Sequence, residues 1–350
     1  MKHHGAGYHA EVIPGQQQGA ILRHGSLHSH AFAYYAVDFK TGTGPGGQPQ
    51  TWSLIVDSGS PFTFVGANPA RPYRTGQAKT ALGPFQESFR SAHPGVAGQL
   101  TQDFTQLEPT LNAETYFGVA DPAQSKAFNT GSPDADGVLG LAVPVYSTYF
   151  TPDARFSSYV EQIKTKSLIS ANVVGLSLKR PTTGDVDVGQ ISFGTPTEPG
   201  IVWTPRKDVL GQPVWAADMT IPGLGLTNFA VLVDSGTSLF LLSTSAHAAF
   251  VKTVKGAVID PATGMVKMPK AIIPPALAFT VGGQVFTLSG EDQLLSEADA
   301  TFNGFDTAFS WSIFASTGAE GPGSVIFGMK GMEVLKTVYF DSDNDRLGFV

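Results

Sequence analysis

Residues Leu54 to Ser60 read LIVDSGS, and residues Val231 to Thr237 read VLVDSGT. Each is an apolar, strand-type run that ends in Asp, a small hydroxyl residue, Gly and a second hydroxyl residue. Asp-Ser-Gly alone is ordinary turn chemistry. The repeat carries the information, because each copy has a distant companion. Asp57 is followed by VLG ending at Gly140, and Asp234 by VIFG ending at Gly328. The same two motifs in the same order mark a duplicated unit. A duplication that delivers one aspartate from each half suits acid–base chemistry, in which one of two adjacent carboxyls is ionised and the other keeps its proton.

The rest of the composition fits a large, ordered β protein. The chain has 350 residues, enough for two lobes, and 42% hydrophobic against 15% charged residues leaves little room for long disordered stretches. Its 40 glycines and 24 prolines are spread out rather than clustered, as short strands joined by tight turns require. The net charge of −7 and the lack of a basic run exclude a nucleic-acid footprint. There is no cysteine, so disulfides, zinc–thiolate sites and cysteine nucleophiles are excluded. No apolar run is long enough to span a bilayer as a helix, and the N-terminus lacks the apolar centre of a signal peptide.

Along the chain, residues 1–20 have no periodicity and read as a leader, a propeptide remnant or an added segment. The expected N-terminal lobe covers 21–197 and the C-terminal lobe 198–350. Ala31–Phe39 and Trp52–Val56 read as strands joined by a Gly-rich hairpin loop over Thr41–Gln50. Residues 60–130 read as short strands with frequent breakers. Residues 154–169 give a helical pattern with Phe156, Tyr159, Val160 and Ile163 on one face. Ser243–Val254 reads as a second helix with Ser243 or Thr244 at its N-cap. The closing YFDSDNDRLGFV reads as a hairpin.

Three weaker motifs are set aside. Gly42-Thr43-Gly44-Pro45-Gly46-Gly47 matches a nucleotide-binding fingerprint, but Pro45 and Pro49 forbid the helix that must follow. Asp341-Ser342-Asp343-Asn344-Asp345 opens like a calcium loop, yet Arg346 stands where Gly is needed and no twelfth-position Glu exists. His3, His4, His9, His24, His28 and His30 crowd the first 30 residues and read as a solvated leader rather than a metal site.

With VDSGS, DGVLGLA, VDSGTSL and the closing VIFGMKGMEVLKTVYFDSDNDRLGFV in hand, the chain resembles the pepsin family of aspartic proteases over about residues 21–350. The absence of cysteine, with DPATGMVKMP and LAFTVGGQVFTL, is most similar to the polyporopepsin-like fungal acid proteases. The resemblance implies an all-β, bilobal, pepsin-like fold with two duplicated β-barrel-like lobes and a central active-site cleft. It implies an acid endopeptidase in which Asp57 and Asp234 activate a water. Gly59, Ser60, Gly236 and Thr237 would serve the carboxylates and the substrate backbone. Neither cofactor nor metal is implied. The implied partners are an extended polypeptide substrate and pepstatin-type inhibitors, with no nucleic acid or membrane, on a secreted or alternatively vacuolar monomer.

One part departs from the family's pattern. The family's flap carries a tyrosine followed by glycine, held by a tryptophan seven residues after the first catalytic aspartate. Counting back from AGQLTQDF, the flap is Glu87–Gly98, the tyrosine slot falls on Ser91-Ala92, and His93 is near the tip. The tryptophan position holds Phe64. The altered flap supports an alternative reading, a pepsin-like binding or inhibitor protein with little or no turnover.

Overall fold

The computed structural model describes residues 23–29, 34–44, 47–74, 79–89, 92–125, 135–143, 157–180 and 187–350. They fall into two compact units. The first consists chiefly of Tyr35–Leu176 and Gly189–Thr197, and the second of Glu198–Val350 with Ser177–Val188 and Ser29–Tyr34.

In the first unit, the hairpin of Tyr35–Thr41 and Gln50–Asp57 forms where the strand and loop signals place it, with Thr41 opposite Gln50. Gly42 and Gly47 turn it with φ of 71° and 78°, a region that costs residues with a Cβ. The sheet then runs Tyr35–Thr41, Gln50–Asp57, Gly137–Gly140, Phe64–Val65, Leu111–Ala120, Ala92–Glu108, Lys79–Phe89. Tyr35–Thr41 also pairs with Ala92–Glu108 through Lys40–Gln106 and Thr41–Thr105, so the sheet curls back on itself. Inside it lie Phe39, Trp52, Phe64 and Phe117, each 2% exposed or less.

The segment read as short, broken strands holds the longest ones, 11, 17 and 10 residues over Lys79–Phe89, Ala92–Glu108 and Leu111–Ala120. The breakers are absorbed by position. Pro84 lies on Lys79–Phe89, the last strand in the sheet order, where a missing N–H costs no ladder bond on the open side. Gly98 is needed because a Cβ there would come within 2.0 Å of the Val119 carbonyl oxygen.

The helix read over 154–169 is shorter. It spans Tyr159–Thr165, because Ser158 caps it by accepting from the Glu161 amide. Ser167, at φ 60°, stops it. Its buried side is Tyr159, Val160, Gln162 and Ile163. Phe156 lies outside the described residues.

The second unit repeats the plan. Its main sheet runs Gln284–Leu288, Leu277–Val281, Ala216–Ile221, Leu226–Val233, Ile326–Phe327, Phe240–Leu242, Phe314–Ser316. Phe240 is the hub of its core, with ring centroids 5.2 Å from Phe314 and 5.1 Å from Phe327. The second helix is Thr244–Thr253, capped by Ser243, which accepts from the Ala246 amide. His247 on this helix is 3% exposed, a core residue. The C-terminal hairpin pairs Val338–Asp341 with Arg346–Phe349, and Asn344 donates to Asp341 across its turn. That turn is a hairpin, as the Arg346 departure from a calcium loop implies.

Candidate active site

The strand Gln50–Asp57 becomes fully buried towards its end, because LIV packs on both faces before the chain turns. It lies parallel to Gly137–Gly140, with Asp57 opposite Gly140. The turn then folds back on the carboxylate. The Gly59 amide donates to Asp57 Oδ1 at 2.7 Å, and the Ser60 hydroxyl donates to Oδ2 at 2.7 Å. Both carboxylate oxygens therefore have a local donor. The Leu141 amide closes the arrangement by donating to the Asp57 carbonyl at 2.9 Å.

The second unit builds the same object from different neighbours. Leu226–Val233 lies parallel to Ile326–Phe327, and the Asp234 amide donates to the Phe327 carbonyl at 3.1 Å. The Gly236 amide donates to Asp234 Oδ1 at 3.0 Å, and the Thr237 hydroxyl to Oδ2 at 2.7 Å. Donor types and oxygen assignments match the first loop one for one.

The distant glycines of the repeat have a steric reason. A Cβ on Gly140 would stand 2.5 Å from the Phe62 carbonyl oxygen, and one on Gly328 would stand 2.1 Å from that of Leu239. In each unit, the chain leaving the Asp-Ser-Gly turn crosses directly over the glycine of the neighbouring strand. The apolar-apolar-Gly signal is the sequence trace of that crossing.

The flap residues divide differently. The hairpin is formed by Lys79–Phe89 and Ala92–Glu108, with Phe85 opposite Gly98, Glu87 opposite Val96 and Phe89 opposite Ala92. Ala92 and His93 begin the returning strand. Ser91 lies outside the described residues. Phe64 is fully buried, and its ring sits 6.0 Å from that of Phe85 on the incoming flap strand. An apolar ring pair thus joins Phe64 to this hairpin. Tyr73 is engaged elsewhere: its hydroxyl donates to Asp103 at 2.7 Å, and its ring stacks on Trp52.

Sequence reasoning missed Glu87. It is only 8% exposed. Burial, and then the nearby Asp57 charge, push its carboxyl well above the usual glutamate range. The available signal was parity. On this strand Phe85 and Glu87 are buried while Gln86 between them is exposed, so the acid shares the inward face with the aromatic.

No group of three or more His, Cys, Asp or Glu side chains among the described residues could hold a metal ion. No helix among them is long and apolar enough to cross a membrane.

Residues 35–350 match the family described as eukaryotic aspartyl protease. Polyporopepsin of Irpex lacteus is 26% identical over 329 residues, covering 89% of this chain and 93% of that one. Aspergillopepsin-1 of Aspergillus oryzae is 29% identical over 262 residues, 73% of this chain and 63% of that one. The crystal structure of the Irpex lacteus aspartic proteinase superposes with a TM-score of 0.79 at 25% identity, covering 94% of this chain and 97% of that one.

Proposed function

The chain belongs to the eukaryotic aspartyl protease family and is an aspartic endopeptidase; on that premise we propose that Asp57 and Asp234 work as one dyad that shares a proton and activates a water. The observation that carries this reading is the matched pair of turns, each with an amide donating to Oδ1 and a hydroxyl donating to Oδ2 of its aspartate. Two carboxyls brought together cannot both ionise readily, so the pair holds one proton in acid.

The ionised member takes a proton from the water, and the water oxygen attacks the scissile carbonyl carbon. The protonated member gives its proton to the carbonyl oxygen as negative charge develops there. In the second step the leaving nitrogen takes the dyad's proton, the carbon–nitrogen bond breaks, and one hydroxyl of the diol intermediate returns its proton to the dyad as the carbonyl re-forms. One water is consumed, one acid and one amine are released, and the dyad returns to its single-proton state. The titration belongs to the pair as a whole.

Gly236 and Thr237 hydrogen-bond the backbone of an extended polypeptide, and Ala92, His93 and Ser91 cover it from the flap. Pepstatin occupies the same site. The enzyme works as a monomer outside the cell or in a vacuole, where acid supplies the shared proton. A binding or inhibitor protein without turnover is not favoured, because both carboxylates keep their full sets of donors.

The test is hydrolysis of an unfolded protein at about pH 3–5, the range in which such a dyad keeps one proton, with and without pepstatin. Pepstatin-sensitive cleavage is expected, with Asp57→Asn and Asp234→Asn each inactive but folded. Cleavage at about pH 8 that ignores pepstatin would send the chemistry to another site.

A further inference from the structure

We propose that Lys330 is a positioning residue for Asp234: its buried ammonium pins the short helix Met329–Met332, and through two backbone hydrogen bonds that helix holds the turn that carries the aspartate. The proposal rests on the dyad reading above and goes beyond it.

An ammonium has three hydrogens to give. Lys330 Nζ stands 3.1 Å from Asp299 Oδ2, and 2.9 Å and 3.3 Å from the two carboxylate oxygens of Glu333, so all three are used. The three side chains are only 1%, 1% and 4% exposed, so water is not at hand to replace any of these bonds. Asp299 is itself fixed. Its Oδ2 accepts from the Ser296 amide at 3.3 Å, and the Ser296 hydroxyl accepts from the Asp299 amide at 3.0 Å, a capping box on the helix Glu297–Phe302. The ammonium is thus a tripod with one foot on a second helix.

From Lys330 to Asp234 every link is a hydrogen bond. The Lys330 amide donates to the Ser238 carbonyl at 3.0 Å, and the Met329 amide to the Thr237 carbonyl at 2.8 Å. The Thr237 hydroxyl donates to Asp234 Oδ2 at 2.7 Å. Thr237 is therefore held from behind while it holds the carboxylate in front. The helix cannot supply this hold alone, because it has four residues and no side-chain cap, and so short a helix has little stability of its own.

The first unit shows that the fold does not demand a charge here. Two residues past Gly140 stands Ala142, whose amide donates to the Ser60 carbonyl at 3.0 Å; two residues past Gly328 stands Lys330. The first turn also has the bond from the Leu141 amide to the Asp57 carbonyl, whereas the matching amide, that of Met329, goes to Thr237. Burying an ion triad carries a desolvation cost that a well-packed apolar group avoids. Its presence where the first unit has alanine points to a demand for fixed geometry at the second turn rather than for stability.

The experiment compares Lys330→Met, which strands two carboxylates, with the uncharged triple variant Lys330→Met, Asp299→Asn, Glu333→Gln, and with Phe250→Leu, a core change on the helix Thr244–Thr253. Urea unfolding gives stability, and steady-state kinetics at one acidic pH gives kcat and KM per folded molecule. Lys330→Met should lose stability, and the triple variant should regain most of it. Both should still lower kcat about tenfold, within the range for a small misplacement of a reacting group, with KM changed less. Phe250→Leu should lose stability and keep the parent kcat. A triple variant that regains kcat along with stability, or either Lys330 variant with the parent kcat, would overturn the proposal. If Lys330→Met does not fold, the triple variant carries the comparison. In the parent, the Met329 and Lys330 amides should exchange hydrogen as slowly as those of Leu226–Val233, and exchange at exposed-loop rates would overturn the proposal whatever the variants do. Turnover surviving in Asp234→Asn would instead overturn the dyad itself, so the two failures are distinguishable.

Discussion

The two Asp-Ser-Gly turns are alike where they touch their own aspartate and unlike in what stands behind them. In the first, the strand ends at Gly140 without passing into a helix, and the Leu141 amide donates to Asp57's own carbonyl. In the second, the chain bends at Gly328 into the short helix Met329–Met332, and the Met329 amide donates to the Thr237 carbonyl instead. Behind the first turn lies one buried acid, Glu87. Behind the second lies an ion triad, with Lys330 bonded to Asp299 at 3.1 Å and to Glu333 at 2.9 Å, all almost fully buried. The shared part is what the chemistry requires of both carboxylates. The differing part gives each turn its own supporting network, so a duplicated site need not consist of equivalent halves.

The largest effect tests the equivalence itself. Asp57→Asn and Asp234→Asn should each lower kcat by about a hundredfold to ten-thousandfold, the range for loss of a general acid or base. A variant that keeps a tenth of its turnover would show that one turn is dispensable. Next come the crossings. Gly140→Ala and Gly328→Ala should each cost about 1–3 kcal/mol or more in urea unfolding, since a methyl must displace backbone rather than a mobile side chain. Gly328→Ala should be the worse, because its contact is the closer. Equal stability to the parent in either would break the steric reading.

The hydroxyls should separate the two turns. Hydrogen bonds to charged groups contribute about 1.5–3 kcal/mol, so Thr237→Val should reduce kcat/KM by about tenfold. Ser60→Ala should cost more, because its hydrogen bond to Asp57 is buried whereas that of Thr237 to Asp234 is only part-buried. The measurement is steady-state kinetics at one acidic pH, and an equal loss in both would mean that burial adds nothing to the bond in the first turn.

The smallest effect is a contrast in pH response between the two units. Burial pushes His247 below its ordinary value of 6.5. Between that lowered value and 6.5 the unfolded chain binds more protons than the folded one, so the second unit loses stability as pH falls through this window. Glu87 acts with the opposite sign in the first unit. His247→Phe should flatten the acid-side decline in urea midpoint, and Glu87→Gln the decline on the other side. Parallel curves for parent and His247→Phe would contradict the neutral, buried His247.

Legibility followed locality. The Asp-Ser-Gly turns, the hairpin of Gly42 and Gly47, and the Ser243 cap each depend on residues within a few positions, and all could be read from the chain. The start of Tyr159–Thr165 was equally readable, because Ser158 and Glu161 stand at the spacing of a helix-capping pair. The wider apolar pattern drew attention away from it. Glu87 could not be placed by counting, because which flap residue faces inward depends on the hairpin register, and a register changes with the length of its turn. Counting back from AGQLTQDF put the slot on Ser91, which lies outside the described residues, and the pairing of Phe85 with Gly98 sets Glu87 on the buried face beside Phe85. The long strands of Lys79–Phe89 and Ala92–Glu108 were hidden for a similar reason. Their proline and glycines are tolerated through positions in a sheet that the linear chain does not display.

The glycine crossings also have a mechanical meaning. At Gly140 and Gly328 two stretches of main chain bear on each other with no side chain between them, like a shaft seated in its bearing without clearance. A bearing of that kind transmits displacement instead of absorbing it, so turn and neighbouring strand must travel together. Within each unit the aspartate is therefore tied to the stiffest part of its sheet and serves as a fixed datum. Any adjustment needed to admit and release a long substrate must come from parts that are not seated in this way.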